Sequence, residues 1–181
     1  KELYSKLHPN NKLHSWDTRI NCLYTLKEIG YQVGTGVMIG LPFQTTEQLA
    51  GDILFMKDLD IDMCGMGPYI EHEDTPLFQY KNNFLSLNER LKLSLKMLSA
   101  LRIVMKDINI AATTALQAIS TEGREDAIKI AANVVMPNIT PVLYRENYKL
   151  YENKPGVEED CEDSIKSITR LVHNAGCEIG F

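Results

Sequence analysis

The chain has 181 residues, 44% of them hydrophobic, with a formal net charge of −5, enough apolar material for the core of one ordinary domain. The acidic balance lacks the surplus of Lys and Arg that neutralising phosphates requires, which excludes general nucleic-acid binding and suits a metabolite-handling protein. No apolar run approaches the ~20 residues that span a bilayer, and no secretory segment opens the chain, so no membrane partner and a cytoplasmic setting are expected.

The first helical pattern starts at Asp17, with Asp17 or Ser15 as N-cap, Ile20, Leu23, Tyr24, Leu26 and Ile29 at helical spacing, and Gly30 closing it. A strand is predicted over 32–39, followed by a helix over 47–59 capped by Thr45 or Thr46. The next strand, 63–69, is apolar on both faces. A polar loop beginning Glu71-His72-Glu73-Asp74 continues irregularly to about 85. The longest helix spans 87–106, from a cap at Ser86 or Asn88. Beyond it come a strand at 109–113, a loop at 114–123, a helix at 124–132, a strand at 134–137, a polar aromatic stretch at 138–155 and a last helix near 160–174. Regular alternation of this kind implies an α/β fold with a parallel sheet and outer helices, either doubly wound or a TIM-type (β/α)8 barrel. Four strands make half a barrel. A whole one takes ~250 residues, and the chain starts at Lys1 rather than Met, so an amino-terminal half is expected to be missing.

Gly34, Gly36 and Gly40 fall inside or at the end of the first strand, where glycine weakens a strand and marks close approach, either by a neighbouring element or by a ligand. In a parallel barrel the strand C-termini form one rim, which gathers 40–44, 67–72, 113–117 and 137–144. That rim offers hydroxyls at Thr113, Thr114 and Thr140, then Asn138, Tyr69, Tyr144, Arg145, Tyr148 and Tyr151, but no nucleophile with an adjacent base. Such a lining binds and orients a polar small molecule whose chemistry a cofactor performs. Arg19, at the start of an otherwise apolar helix, is placed either to clamp a carboxylate bidentately or to form a surface ion pair. His72 with its acidic neighbours reads as a solvated turn rather than a metal site. Met63, Met66 and Met136 read as core fillers, and Cys22 and Cys64 as small core residues. Cys161 and Cys177 lie in the tail, and the four cysteines form no Cys-x-x-Cys pair.

Several stretches in order resemble a known family. They include Arg19-Ile20-Asn21-Cys22-Leu23, Gly36-Val37-Met38-Ile39-Gly40-Leu41-Pro42, Gly67-Pro68-Tyr69-Ile70, Ala112-Thr113-Thr114-Ala115, Met136-Pro137-Asn138-Ile139-Thr140-Pro141, and Tyr144-Arg145 through Tyr148 and Tyr151. Together they resemble the radical S-adenosylmethionine enzymes of the biotin synthase group, most closely the HydE-type maturases of iron-only hydrogenase. The resemblance implies the carboxy-terminal half of a (β/α)8 barrel over residues 1–155, with a terminal helix and tail over 156–181. It implies S-adenosylmethionine and one 4Fe-4S cluster as cofactors of the full-length enzyme. The Cys-x-x-x-Cys-x-x-Cys ligands of that cluster are absent from this chain, which should be inactive alone. Cys161 and Cys177 are too few and too far apart for an auxiliary cluster.

By the same resemblance Arg19 would contact the cofactor's carboxylate, and Gly36, Met38 and Gly40 would let its nucleoside approach the backbone. Phe43 stands where the broader pattern Gly-x-Ile-x-Gly-x-x-Glu has its acid, so that contact does not carry over. Met63, Thr113, Thr114, Ala115, Met136, Tyr148 and Tyr151 would line the substrate cavity, reversing the core reading for Met63 and Met136. The expected function is generation of a 5′-deoxyadenosyl radical for assembly of the hydrogenase di-iron cofactor, with hydrogenase maturation proteins as partners. A biotin synthase-like enzyme, an amino-acid mutase and a non-catalytic small-molecule-binding domain are the alternatives. Half a barrel would also expose sheet edges through which two copies could pair.

Overall fold

The computed structural model describes residues 1–145, 147, 151, 155 and 161–180. It is an α/β protein: a parallel sheet with flanking helices. The sheet holds β1 (Gly34–Thr35), β2 (Met38–Ile39), β3 (Met63–Pro68) and β4 (Asn109–Ala112). β1 and β2 pair with one side of β3 and β4 with the other, all parallel. Around it lie α1 (Glu2–Leu7), α2 (Trp16–Glu28), α3 (Thr46–Leu59), α4 (Leu87–Val104), α5 (Thr114–Ile119), α6 (Gly123–Ile130), α7 (Val142–Arg145) and α8 (Cys161–Asn174).

The strand expected over 32–39 is two short strands with a break at 36–37. Gly36 supplies the reason. A Cβ at that position would lie 1.8 Å from the Gly65 carbonyl oxygen of β3, so the two backbones close to a distance only glycine permits. The register survives the break: Gly34 pairs with Met63 and Thr35 with Cys64 before it, Met38 with Gly67 and Ile39 with Pro68 after it. Ahead of β1, the Asp62 carboxylate accepts from the Val33 N–H at 2.6 Å and the Asp62 N–H donates to the Val33 carbonyl.

Sequence signals fix α3 and α4 sharply. Thr45 and Gln48 form a reciprocal capping box at the start of α3, and Ser86 and Glu89 another at the start of α4, each box satisfying amide groups the helix cannot pair internally. Leu49, Ile53, Met56 and Leu59 then form the buried stripe of α3, and Leu91, Met97, Leu98 and Leu101 that of α4. These stripes meet Ile39, Cys64, Met66, Ile110 and Ala112 from the sheet, with Leu116 and Ala127, in one core. Removing a side chain as enclosed as Leu98 would cost about 2–5 kcal/mol. Cys64 donates to the Met56 sulfur at 3.5 Å, and burial pushes its thiol pKa to about 12, leaving it inert.

Several expectations are corrected. Residues 76–83, read as irregular, form a 3-10 helix opened by Pro76, whose fixed φ suits a first helical turn. The loop after β4 contains α5. The strand over 134–137 is reduced to a single parallel bridge, Ala111 to Val134. Cys22 is exposed, because α2 buries none of its residues fully. Met66 lies in the core as read, whereas Met136 is 59% exposed.

A buried cation organises the end of the sheet toward which the strands run. Arg90 in α4 is 2% exposed. Its Nη1 donates to the Tyr69 carbonyl and to Glu71 Oε2, its Nη2 to Glu71 Oε1 at 3.2 Å, and its Nε to the Leu85 carbonyl at 2.9 Å. Glu71 is thus no part of a solvated turn. Burial alone would raise the Glu71 carboxyl, but hydrogen bonds from Arg90 and from a backbone amide, with the guanidinium's charge, outweigh it and hold the carboxyl below its ordinary value of 4.5.

Two predictions come from these contacts. Gly36→Ala should lower stability by about 1–3 kcal/mol or more, by forcing β1 and β2 away from β3, whereas Gly65→Ala, whose Cβ meets nothing within 4 Å, should stay within about 1 kcal/mol of the parent. Urea unfolding of both variants measures the contrast. Because the Glu71 carboxyl is depressed in the folded state, its pairing stabilises the protein fully above the unfolded-state value and loses that stabilisation as pH falls from 4.5 through the lowered folded value. Acid titration of stability should therefore show a component in that window that Glu71→Gln lacks.

Candidate functional site

Along β2 and β3 alternate residues point to opposite faces. Ile39, Cys64, Met66 and Pro68 are buried under the helices, while Met38 is 50% exposed and Gly65 lies open. The second face of the sheet is open at Met38 and Gly65, while Ala111, paired with Gly65, is buried. On it the register builds rows that cross the strands. Gly34, Met63 and Asn109 are paired neighbours, and so are Gly65, Ala111 and Val134. Two residues further on, Met38 pairs with Gly67, and Thr113 follows β4 beside Gly67.

Side-chain geometry supports that last row. A Cβ on Gly67 would lie 2.3 Å from Thr113 Oγ1 and 3.7 Å from the Ala115 Cβ, so Thr113 and Ala115 lean over the bare backbone of Gly67. Thr113 Oγ1 donates to the Met66 carbonyl at 3.3 Å, which holds the hydroxyl there. Gly65, one row earlier, could carry a side chain without touching any described atom and needs no unusual φ. A glycine inside a central strand that neither packing nor backbone geometry demands leaves space on the open face.

Of the residues singled out by sequence, Met38, Met63, Thr113 and Ala115 thus gather on one face. Gly36 and Gly40 border it in the neighbouring strand. Thr114 turns aside: its hydroxyl shares a 2.7 Å hydrogen bond with the Tyr151 hydroxyl. Burial raises Tyr151 above its ordinary 10.0, with Thr114 and the charge of Arg124 opposing, so the phenol stays neutral and available as a donor. Thr114 and Met136 also line a cavity of about 100 Å³ with Arg124, Asn138 and Ser164. Arg124 donates from Nε to the Ala112 carbonyl at 3.2 Å. Arg145 donates to the Thr140 and Asn138 carbonyls at 2.7 and 3.1 Å. Arg19 is exposed in the first turn of α2, at the end where a helix leading back into a parallel strand begins, and Tyr148 lies outside the described residues.

Sequence reasoning overlooked Arg90 and the role of Gln44, and read Glu71 as solvated. Arg90 had a signal: it lies four residues before Ser94 on the buried stripe of α4, where an arginine needs buried partners. Gln44 stands in the turn after β2 and bonds the backbone of Met38, Gly40 and Leu41. Among the described residues no three His, Cys, Asp or Glu side chains gather as ligands for a metal, so the described residues do not fit an iron–sulfur cluster. No helix among them is long and apolar enough to cross a membrane.

No protein-family profile matches the chain. Over 98% of its length it is 43% identical to the [FeFe] hydrogenase maturase subunit HydE of Thermotoga maritima. It is also 28% identical over 98% of its length to the 3-methylornithine synthase of Methanosarcina acetivorans, and 30% identical over 97% to that of Methanosarcina barkeri. The alignments cover 49%, 46% and 46% of these proteins, so the chain spans about half the length of the curated relatives it matches. At 43% identity over nearly its whole length, and with parallel strands and outer helices, the chain is similar to about half of a HydE-type hydrogenase maturase.

Proposed function

We propose that this chain forms one wall of the reaction chamber of a radical S-adenosylmethionine enzyme that serves assembly of the di-iron cofactor of [FeFe] hydrogenase. One observation carries this reading: Met38, Gly67 and Thr113 lie side by side on the sheet face where the backbone of Gly65 is open. A flat aromatic ligand fits against a backbone without side chains, and exposed thioethers adapt to it. Gly36, Met38 and Gly40 take the nucleoside in this reading, and Arg19, across the same rim, takes the carboxylate bidentately.

Met63, Thr113, Thr114, Ala115, Met136, Tyr148 and Tyr151 line the substrate side. Thr114 and Tyr151 hold each other and present one hydroxyl proton to a polar substrate. The apolar row excludes water from the reacting groups. S-adenosylmethionine supplies, when bound and reduced, a 5′-deoxyadenosyl radical; the iron–sulfur ligands for that reduction are not among this chain's residues. A second reading, an amino-acid substrate, draws on the similarity to the two 3-methylornithine synthases.

A hybrid tests the proposal directly. Substituting this chain for the matching half of the Thermotoga maritima protein should give an enzyme that cleaves S-adenosylmethionine and restores hydrogenase activity to a strain lacking its maturase. A hybrid that cleaves the cofactor and leaves hydrogenase immature would overturn the substrate assignment, and production of 3-methylornithine would favour the second reading.

The outer edges of β1, β2 and Val134 have no strand partner among the described residues. Unpaired parallel edges recruit strands, so the isolated chain should be catalytically silent and dimeric by light scattering through those edges. A monodisperse monomer at micromolar concentration contradicts the edge pairing.

A further inference from the structure

The turn between β2 and α3 has an unusual backbone. Gly40 lies at φ +84°, where a Cβ would also strike the Arg90 side chain at 2.4 Å, and Phe43 adopts φ 66°, a left-handed conformation rare for a bulky residue. Something must hold a turn of that shape. The side chain of Gln44 does so: its Oε1 accepts from the Gly40 N–H at 2.8 Å and the Leu41 N–H at 3.3 Å, and its Nε2 donates to the Met38 carbonyl at 3.1 Å. The Gln44 N–H adds a bond to the Leu41 carbonyl at 3.2 Å.

Two N–H groups and one carbonyl must be satisfied together, and a primary amide is the side-chain group with an acceptor and a donor at one tip that meets all three. Among the described residues the Gln44 side chain makes no other hydrogen bond. It is outside the core, and the capping of α3 belongs to Thr45 and Gln48.

We propose that Gln44 is a positioning residue for cofactor binding: it fixes the backbone of Met38, Gly40 and Leu41 in the shape that meets S-adenosylmethionine. This rests on the cofactor reading above. The ligand meets backbone rather than side chains along this strand end, so a displaced peptide group costs affinity directly. Gln44 acts through that backbone and does not touch the cofactor.

Two variants separate the contributions. Gln44→Leu removes all three bonds, whereas Gln44→Glu keeps the two acceptor bonds and removes the donor. Amide hydrogen exchange on the chain should show faster exchange at Gly40 and Leu41 in Gln44→Leu, near-parental protection there in Gln44→Glu, and unchanged protection at Ile53 and Leu98 in both. In the hybrid enzyme, S-adenosylmethionine affinity measured by calorimetry should fall about tenfold or more in Gln44→Leu and less in Gln44→Glu. Unchanged exchange at Gly40 and Leu41 in Gln44→Leu would show that the amide does not hold the turn. Faster exchange with parental affinity would show that the turn's shape is irrelevant to the cofactor, and either result overturns the inference. A parental hybrid that takes up no S-adenosylmethionine removes the cofactor reading itself, and the role of Gln44 falls with it.

Discussion

The contact between Gly36 and Gly65 is the constraint on which the rest of the molecule depends. Two backbones approach so closely that a single added carbon would lie 1.8 Å from a carbonyl oxygen. The first strand breaks there, yet β1 and β2 keep one register against β3. That register decides which residues face the helices and which face away, since a slip of one residue would exchange the two sets. With it in place, Ile39, Cys64 and Met66 enter the core, and Met38, Gly65 and Gly67 are left on the other face.

From this arrangement follows a division of labour between the two faces. The helix side carries the hydrophobic stabilisation, through α3 and α4, and contains little that is reactive. The open side carries sparse, spaced groups: an exposed thioether at Met38, a tethered hydroxyl at Thr113, and glycine between them. At the rim, the buried Arg90 and the half-buried Gln44 do the work of missing main-chain partners. Arg90 gathers the Tyr69 and Leu85 carbonyls and Glu71, while Gln44 gathers the backbone of Met38, Gly40 and Leu41. Groups of this kind rigidify loops without contributing to the core, which suits a surface that must be shaped before a ligand arrives.

Much of this was legible in the sequence, unevenly and for physical reasons. The cores and starts of α3 and α4 were readable because capping boxes and helical periodicity are local properties, visible within a few residues. The parallel α/β class was readable from alternation. The interruption of the first strand was not, although its glycines were noticed, because it results from a neighbour distant in sequence. Cys22 looked like a core residue because it sits among apolar neighbours, but α2 presents that surface outward. Glu71 looked solvated because its partner Arg90 stands on a different element. At the site, the residues of the open row were named from a family resemblance, and the fold sets Met38 and Thr113 on either side of Gly67. Thr114 was named with Thr113 and turns away from the row toward Tyr151. Gln44 had no local signal, since its role appears only once the turn is folded.

The central claim is that the open row across β2, β3 and the Thr113 segment is the surface that meets the cofactor. Backbone chemical-shift perturbation on addition of S-adenosylmethionine to the hybrid enzyme, isotope-labelled in this chain, tests it most directly. The account predicts the largest changes at Gly36, Met38, Gly40, Gly65 and Thr113, with Ile53, Leu98 and Leu101 of the helix layer unmoved. Saturable binding with those open-face amides unperturbed, or with changes confined to the helix layer, would contradict it.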